Sequence, residues 1–153
     1  IIVIAIMAIL AGALAPALIK YINKSRISTD IQTGQTIATA VQTALSDEYG
    51  YDAAATSTYS GKMVSAATLW GNNDSFAASV KNTVGTQPKV KSKKCLIKGN
   101  NSKTSGDFAI KVDPLNNSVE VYIGAGGGGH LHKVYPEAAA CLTNENATCQ
   151  GQP

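Results

Sequence analysis

The residues best suited to chemistry lie in the second half of the chain, and none of their spacings completes a reactive site. His130 and His132 stand two apart, on one face if the backbone is extended, and would offer a metal ion two imidazoles. Zinc sites take three or four protein ligands, and no third is spaced nearby, so both read as exposed strand or loop histidines. Gly126 to Gly129 form a glycine run. A phosphate cradle would need Gly-Lys-Ser/Thr and a helix start directly after it. Neither follows, and the run reads as a flexible turn. Lys89, Lys91, Lys93, Lys94 and Lys98 make a basic cluster that could contact DNA or another anionic surface, yet no aromatic residue interleaves with them to stack bases. A solvated face is the simpler reading. No nucleophile elbow, HExxH motif or catalytic carboxylate pair occurs. The expectation is a protein that is not an enzyme and uses no cofactor, metal or small-molecule substrate.

Three cysteines, Cys95, Cys141 and Cys149, complete the inventory. In an exported chain they allow one disulfide and leave one thiol. Cys141 and Cys149 would close a short loop (CLTNENATC), and Cys95 with either of them would staple the tail to the rest. Spacing does not choose between these pairings. A net charge of +3 is mild and points to no nucleic-acid partner.

The element that positions everything else is the start of the chain. Ile1 to Ile19 (IIVIAIMAILAGALAPALI) carries no charge and no hydroxyl. As a helix it spans close to the ~30 Å apolar thickness of a bilayer. A cleaved secretory signal fits poorly, because no basic region precedes the run and Pro16 would follow the better cleavage site. The buried helix of a soluble core would show a polar face within that length. Lys20, Lys24 and Arg26 follow the run and would by themselves hold the remainder in the cytoplasm. The cysteines and the Asn/Thr/Gly-rich composition favour export, which is the reading adopted.

The helical pattern continues beyond the apolar run. Ile27, Ile31, Gly34, Ala38, Val41 and Leu45 follow steps of four and three, forming one stripe, with Lys24, Ser28, Gln32, Gln35, Thr39, Gln42 and Ser46 opposite. Gly50 reads as the stop, which would make the helix ~70 Å long. Pro16 removes a backbone donor and crowds the carbonyl of Gly12, so a kink or local loss of helix is expected between them. Farther on, Ala53 to Ala67 reads as a loop, and a short helical turn is expected within Ala66 to Val84, capped by Ser75. Cys95 to Lys98 is a candidate first strand. Residues 107–112 and 118–123 alternate as strands joined by an Asp113–Asn117 hairpin loop, with a further strand at Leu131 to Tyr135. An α+β fold follows, with the long helix packed on a small antiparallel sheet. Its parts are an apolar helix (1–26), an amphipathic continuation (27–50) and a globular head (51–153).

The stretch IIVIAIMAILAGALAPALIKYINKSR resembles the N-terminal helix of type IV pilins and of the related pseudopilins of type II secretion. The matching region covers about the first 26 residues. In that family a basic leader is removed and mature chains begin with a Phe-Thr-Leu-type segment containing a docking Glu. This chain has no acidic residue before Asp30, so that Glu has no counterpart here, and a few mature residues are expected before Ile1. The resemblance implies a ladle-shaped subunit of a type IV pilus used for adhesion, motility or DNA uptake. It implies a self-assembling helical homopolymer whose filament core is packed by Ile1, Ile2, Val3, Ile4, Ile6, Met7, Ile9, Leu10, Leu14 and Leu18. Gly12 and Pro16 form the weak point, and Ile27, Ile31, Ala38, Val41 and Leu45 pack on the head. The family's C-terminal cysteine loop implies a Cys141–Cys149 disulfide. The implied partners are identical copies, the inner membrane before assembly, the assembly machinery, and DNA or a host surface. Two alternatives stand beside this reading: a secretion pseudopilin, and a monomeric membrane-anchored binding module.

Overall fold

A computed structural model describes residues 2–56, 58–92, 106–124 and 131–143. It begins with one 44-residue helix, α1 (Ile2–Leu45). There follow α2 (Glu48–Ala54), strand β1 (Met63–Ser65), α3 (Ala66–Gly71) and α4 (Ser75–Val84), then β2 (Asp107–Asp113), β3 (Ser118–Gly124), β4 (Leu131–Tyr135) and a last turn of helix, α5 (Ala140–Thr143). The strands form one antiparallel sheet in the order β1-β2-β3-β4. Long helix and sheet together make the α+β layout expected from the periodicities, with the ladle-like form that the resemblance implies.

The upper half of α1 holds a polar face without losing helix. Thr29, Thr33, Thr36, Thr39, Thr43 and Ser46 each turn their hydroxyl back onto the carbonyl four residues earlier, at 2.8 to 3.0 Å. A hydroxyl satisfied this way does not compete for the helix's own donors. The other face is buried by α4 on one side and by β3 and β4 on the other. Small residues there (Gly34, Ala38, Ala40, Ala44) let these elements come close. The core joins Ile37, Val41 and Leu45 of α1 to Phe76 and Val80 of α4 and to Phe108, Ile110, Val121, Ile123 and Val134 of the sheet. In β2 and β3 these residues take every second position, while the paired Ala109 and Tyr122 between them are buried as well.

Several expectations are corrected. α1 is helical without interruption through Gly12 and Pro16, so no local loss of helix occurs in the isolated chain. Pro16 costs one internal hydrogen bond, and the turns on either side keep theirs. The long helix ends at Leu45, not at Gly50. Asp47 is extended and caps a new helix, its carboxylate accepting from the Gly50 N–H at 3.2 Å. Gly50 lies inside α2 because the chain passes so close to Ala44 that any side chain would collide with it. The 53–67 stretch is not all loop: it starts at the end of α2, contains β1, which pairs with residues 109–111 of β2, and runs into the start of α3. The region after it holds two helices. Ser65 caps α3, and Asp74, not Ser75, caps α4 by accepting from the Ala77 N–H at 2.7 Å. The hairpin is confirmed, with Asn117 at φ 48° closing the turn. The proposed strand at Cys95, the glycine run, His130, Lys93, Lys94, Lys98 and the cysteine pairings lie outside the described residues and side chains.

Candidate packing interface and its junction with the head

Among the described residues, the exposed large apolar side chains gather on the lower half of α1. Every described residue from Ile2 to Arg26 is exposed. Ile2 is 77 %, Ile9 72 % and Leu14 64 % open to solvent, and Val3, Ile4, Ile6, Met7, Leu10, Leu18 and Ile19 are likewise exposed on all sides. Each such side chain gains ~1.5–3 kcal/mol when taken out of water, so the rod demands a cover that none of the described residues supplies. The helix is long and apolar enough to cross a membrane. Gly12 and Pro16 sit mid-rod with open space beside Gly12. Of the residues assigned to head packing, Ala38, Val41 and Leu45 are buried, and Ile27 and Ile31 are half-buried at the rim of the core.

The junction between rod and head is a site the sequence reading passed over. Asp30 is fully buried and accepts two backbone hydrogen bonds from the segment that follows α4, Lys91 N–H at 2.9 Å and Ser92 N–H at 2.7 Å. Burial pushes its carboxyl above the ordinary 3.8, and the two N–H donors and the Lys91 charge offset part of that rise. One turn higher, Gly34 admits the sheet: a Cβ there would stand 2.6 Å from Val134 Cγ1. The clue to Asp30 was available. It lies three residues after Ile27 and four before Gly34, on the apolar stripe, where an unpaired acid would be costly.

Asp30→Ala is therefore expected to orphan two backbone donors and to cost about 2–4 kcal/mol. Thermal unfolding of the chain in detergent micelles checks it. Linkage gives the sign of the pH effect. With the folded pKa raised, the folded state binds the proton more tightly, so the Asp30 contribution is full below 3.8 and falls as pH rises through the folded pKa. Asp30→Asn should flatten that slope.

Elsewhere among the described residues of the head, polar side chains bond to one another. Tyr59 donates to Asp74 at 2.5 Å, accepts from Asn72 at 2.6 Å and packs its ring at a 58° tilt against Phe76, tying the approach to β1 to the start of α4. Burial and the neighbouring carboxylate push its phenol up to about 12. On the sheet face away from α1, Glu120 is held by Lys133 at 2.5 Å, by the Tyr122 hydroxyl at 3.1 Å and by Lys111 at 3.8 Å. The Lys133 bond keeps the Glu120 carboxyl below its usual range. His132, expected to be exposed, is instead buried, because it takes an inward position of β4 paired with Ile123 of β3. Among the described residues no three potential ligands gather for a metal.

Comparison with protein-family models, with curated proteins and with solved structures gives no match for this chain. What fold and site define is a class: a protein with one long apolar N-terminal helix, able to anchor in a membrane, packed on a small antiparallel sheet. That layout is compatible with a pilin-like fold.

Proposed function

We propose that this chain is a structural subunit of a type IV pilus, polymerising through α1 into a helical surface filament. The observation that carries the reading is the exposed apolar half of α1, continuous in one helix with the half that packs on a folded head. Before assembly the rod rests in the inner membrane. On assembly it exchanges lipid for identical rods, a transfer between two apolar surroundings that costs far less than exposure to water. The assembly machinery supplies the work of extraction. One repeated screw contact between parallel copies is heterologous and does not close, which is the geometry of a fibre.

The reading is tested by electron microscopy of material sheared from cells expressing the chain. Long filaments composed of it are expected. Short or absent filaments together with a secretion defect would instead indicate a pseudopilin. A rod that stays solitary in lipid while the head binds a ligand would indicate an anchored binding module.

A further inference from the structure

Charges are segregated by sign along α1. Before Asp30 the chain contains only cations, Lys20, Lys24 and Arg26, and between Arg26 and Lys62 it contains none. Asp30 is buried beneath the Lys91–Ser92 backbone and turns no charge outward. The same two bonds bring exposed Lys89 and Lys91 to its level, with half-buried Asp107 the acid across the Lys89 bridge. At about 100° per residue, Lys20 and Lys24 fall on one side of the helix and Arg26 on the other. The cations therefore form a collar, not a stripe.

The opposite end is acidic. Asp47, Glu48 and Asp52 are exposed in the turn after α1 and on α2, about 30 Å along the axis from Arg26. Asp47 caps α2, and Glu48 suits its first turn. Asp52 lies toward the C-terminal end of α2, where the helix dipole disfavours an acid, so local structure does not account for it. Each patch also presents tyrosine, a residue enriched in protein interfaces: Tyr21 is 72 % exposed in the collar, and Tyr49 is 75 % exposed in the acidic turn. Among the described residues, Lys20, Lys24, Arg26, Glu48 and Asp52 take part in no ion pair.

The geometry points to a contact between two copies of this chain in which the Lys20–Lys24–Arg26 collar of one meets the Asp47–Glu48–Asp52 turn of another. The copies are staggered by about 30 Å along α1. This rests on the filament reading and adds its electrostatic register. An anionic lipid surface would account for the collar alone, whereas a second copy accounts for both patches. An antiparallel pair would also match the charges, but it would point the two apolar rods away from each other. Parallel copies match the charges and leave the rods side by side.

Reciprocal charge reversal in the full chain tests the contact, read as sheared filament yield beside the amount of subunit held in the membrane. All four side chains changed are exposed, so the head fold is retained. Glu48→Lys with Asp52→Lys, and separately Lys24→Glu with Arg26→Glu, are each expected to cut filament yield about tenfold at an unchanged membrane pool. The four changes together should restore it. Unchanged yield in either double variant, or no recovery in the fourfold one, overturns the contact while wild-type filaments leave the pilus reading intact. Loss of Lys24→Glu/Arg26→Glu subunits from the membrane, with no rescue, overturns it in favour of lipid headgroups. A wild-type chain that forms no filament overturns both.

Discussion

A chain lacking Ile1–Tyr21 is expected to be soluble, monomeric and fully folded, and to form no filament at any concentration. The residues removed make no part of the head's core, which starts at the half-buried Ile27. Melting of the head should consequently be unchanged. What disappears is the drive for association. Ten large apolar side chains from Ile2 to Ile19 stand exposed, and sheltering them contributes on the order of 15 kcal/mol or more relative to water. The intact chain should aggregate when detergent is withdrawn, and the truncated chain should not. Size-exclusion chromatography with light scattering, beside thermal melts of both forms, reads the result. A truncated chain that still polymerises would move the assembly surface to the head and end the pilus reading as stated.

Gly50→Ala is expected to be the most damaging single-methyl change in the head, with a net loss of about 3 kcal/mol. An alanine Cβ at this position would lie 2.1 Å from the Ala44 carbonyl oxygen and 3.1 Å from its carbonyl carbon. Those are backbone atoms at the end of α1, and relief requires α2 to move off the corner it makes with that helix. The move would also break the Asp47 cap, whose acceptor bond comes from the Gly50 N–H. Alanine's better helix propensity returns only ~1 kcal/mol. Gly34→Ala is the control. Its Cβ would meet Val134 Cγ1 at 2.6 Å, a side-chain contact that a rotamer change can partly relieve, so a smaller loss of ~1–2 kcal/mol is expected. Denaturant unfolding of the truncated head compares the two. Equal losses would mean the corner yields as readily as the sheet.

Features governed by near neighbours were legible in the residues. The unbroken apolar run of Ile1–Ile19 announced a rod that needs an apolar surrounding, and the four-and-three spacing from Ile27 to Leu45 announced which face of α1 meets the head. The alternation in 107–112 and 118–123, with Asp-Pro-Leu-Asn-Asn between, announced a hairpin. These patterns repeat with the period of the backbone itself, so they survive without knowledge of the partner. Misreadings fell where two helix caps competed. Gly50 looked like a stop and Ser75 like a cap, whereas the side chains of Asp47 and Asp74 reach the backbone donors that start the next helices. Strand β1 has only 3 residues, too few for any alternation to register.

The tertiary structure alone decided the junctions. Asp30 finds its donors 61 and 62 residues away, and nothing around position 30 names them. Gly34 and Gly50 are needed because Val134 and Ala44 happen to approach from outside their own turn. The stripe on α1 is wider than its spacing implied, taking in Ile37, Ala40 and Ala44, because α4 and the sheet close on the helix from two sides. Local sequence sets what each segment prefers, since those preferences act over a turn or a strand pair. Which distant surfaces meet is settled only when the whole chain packs, because a close contact depends on the positions of both partners.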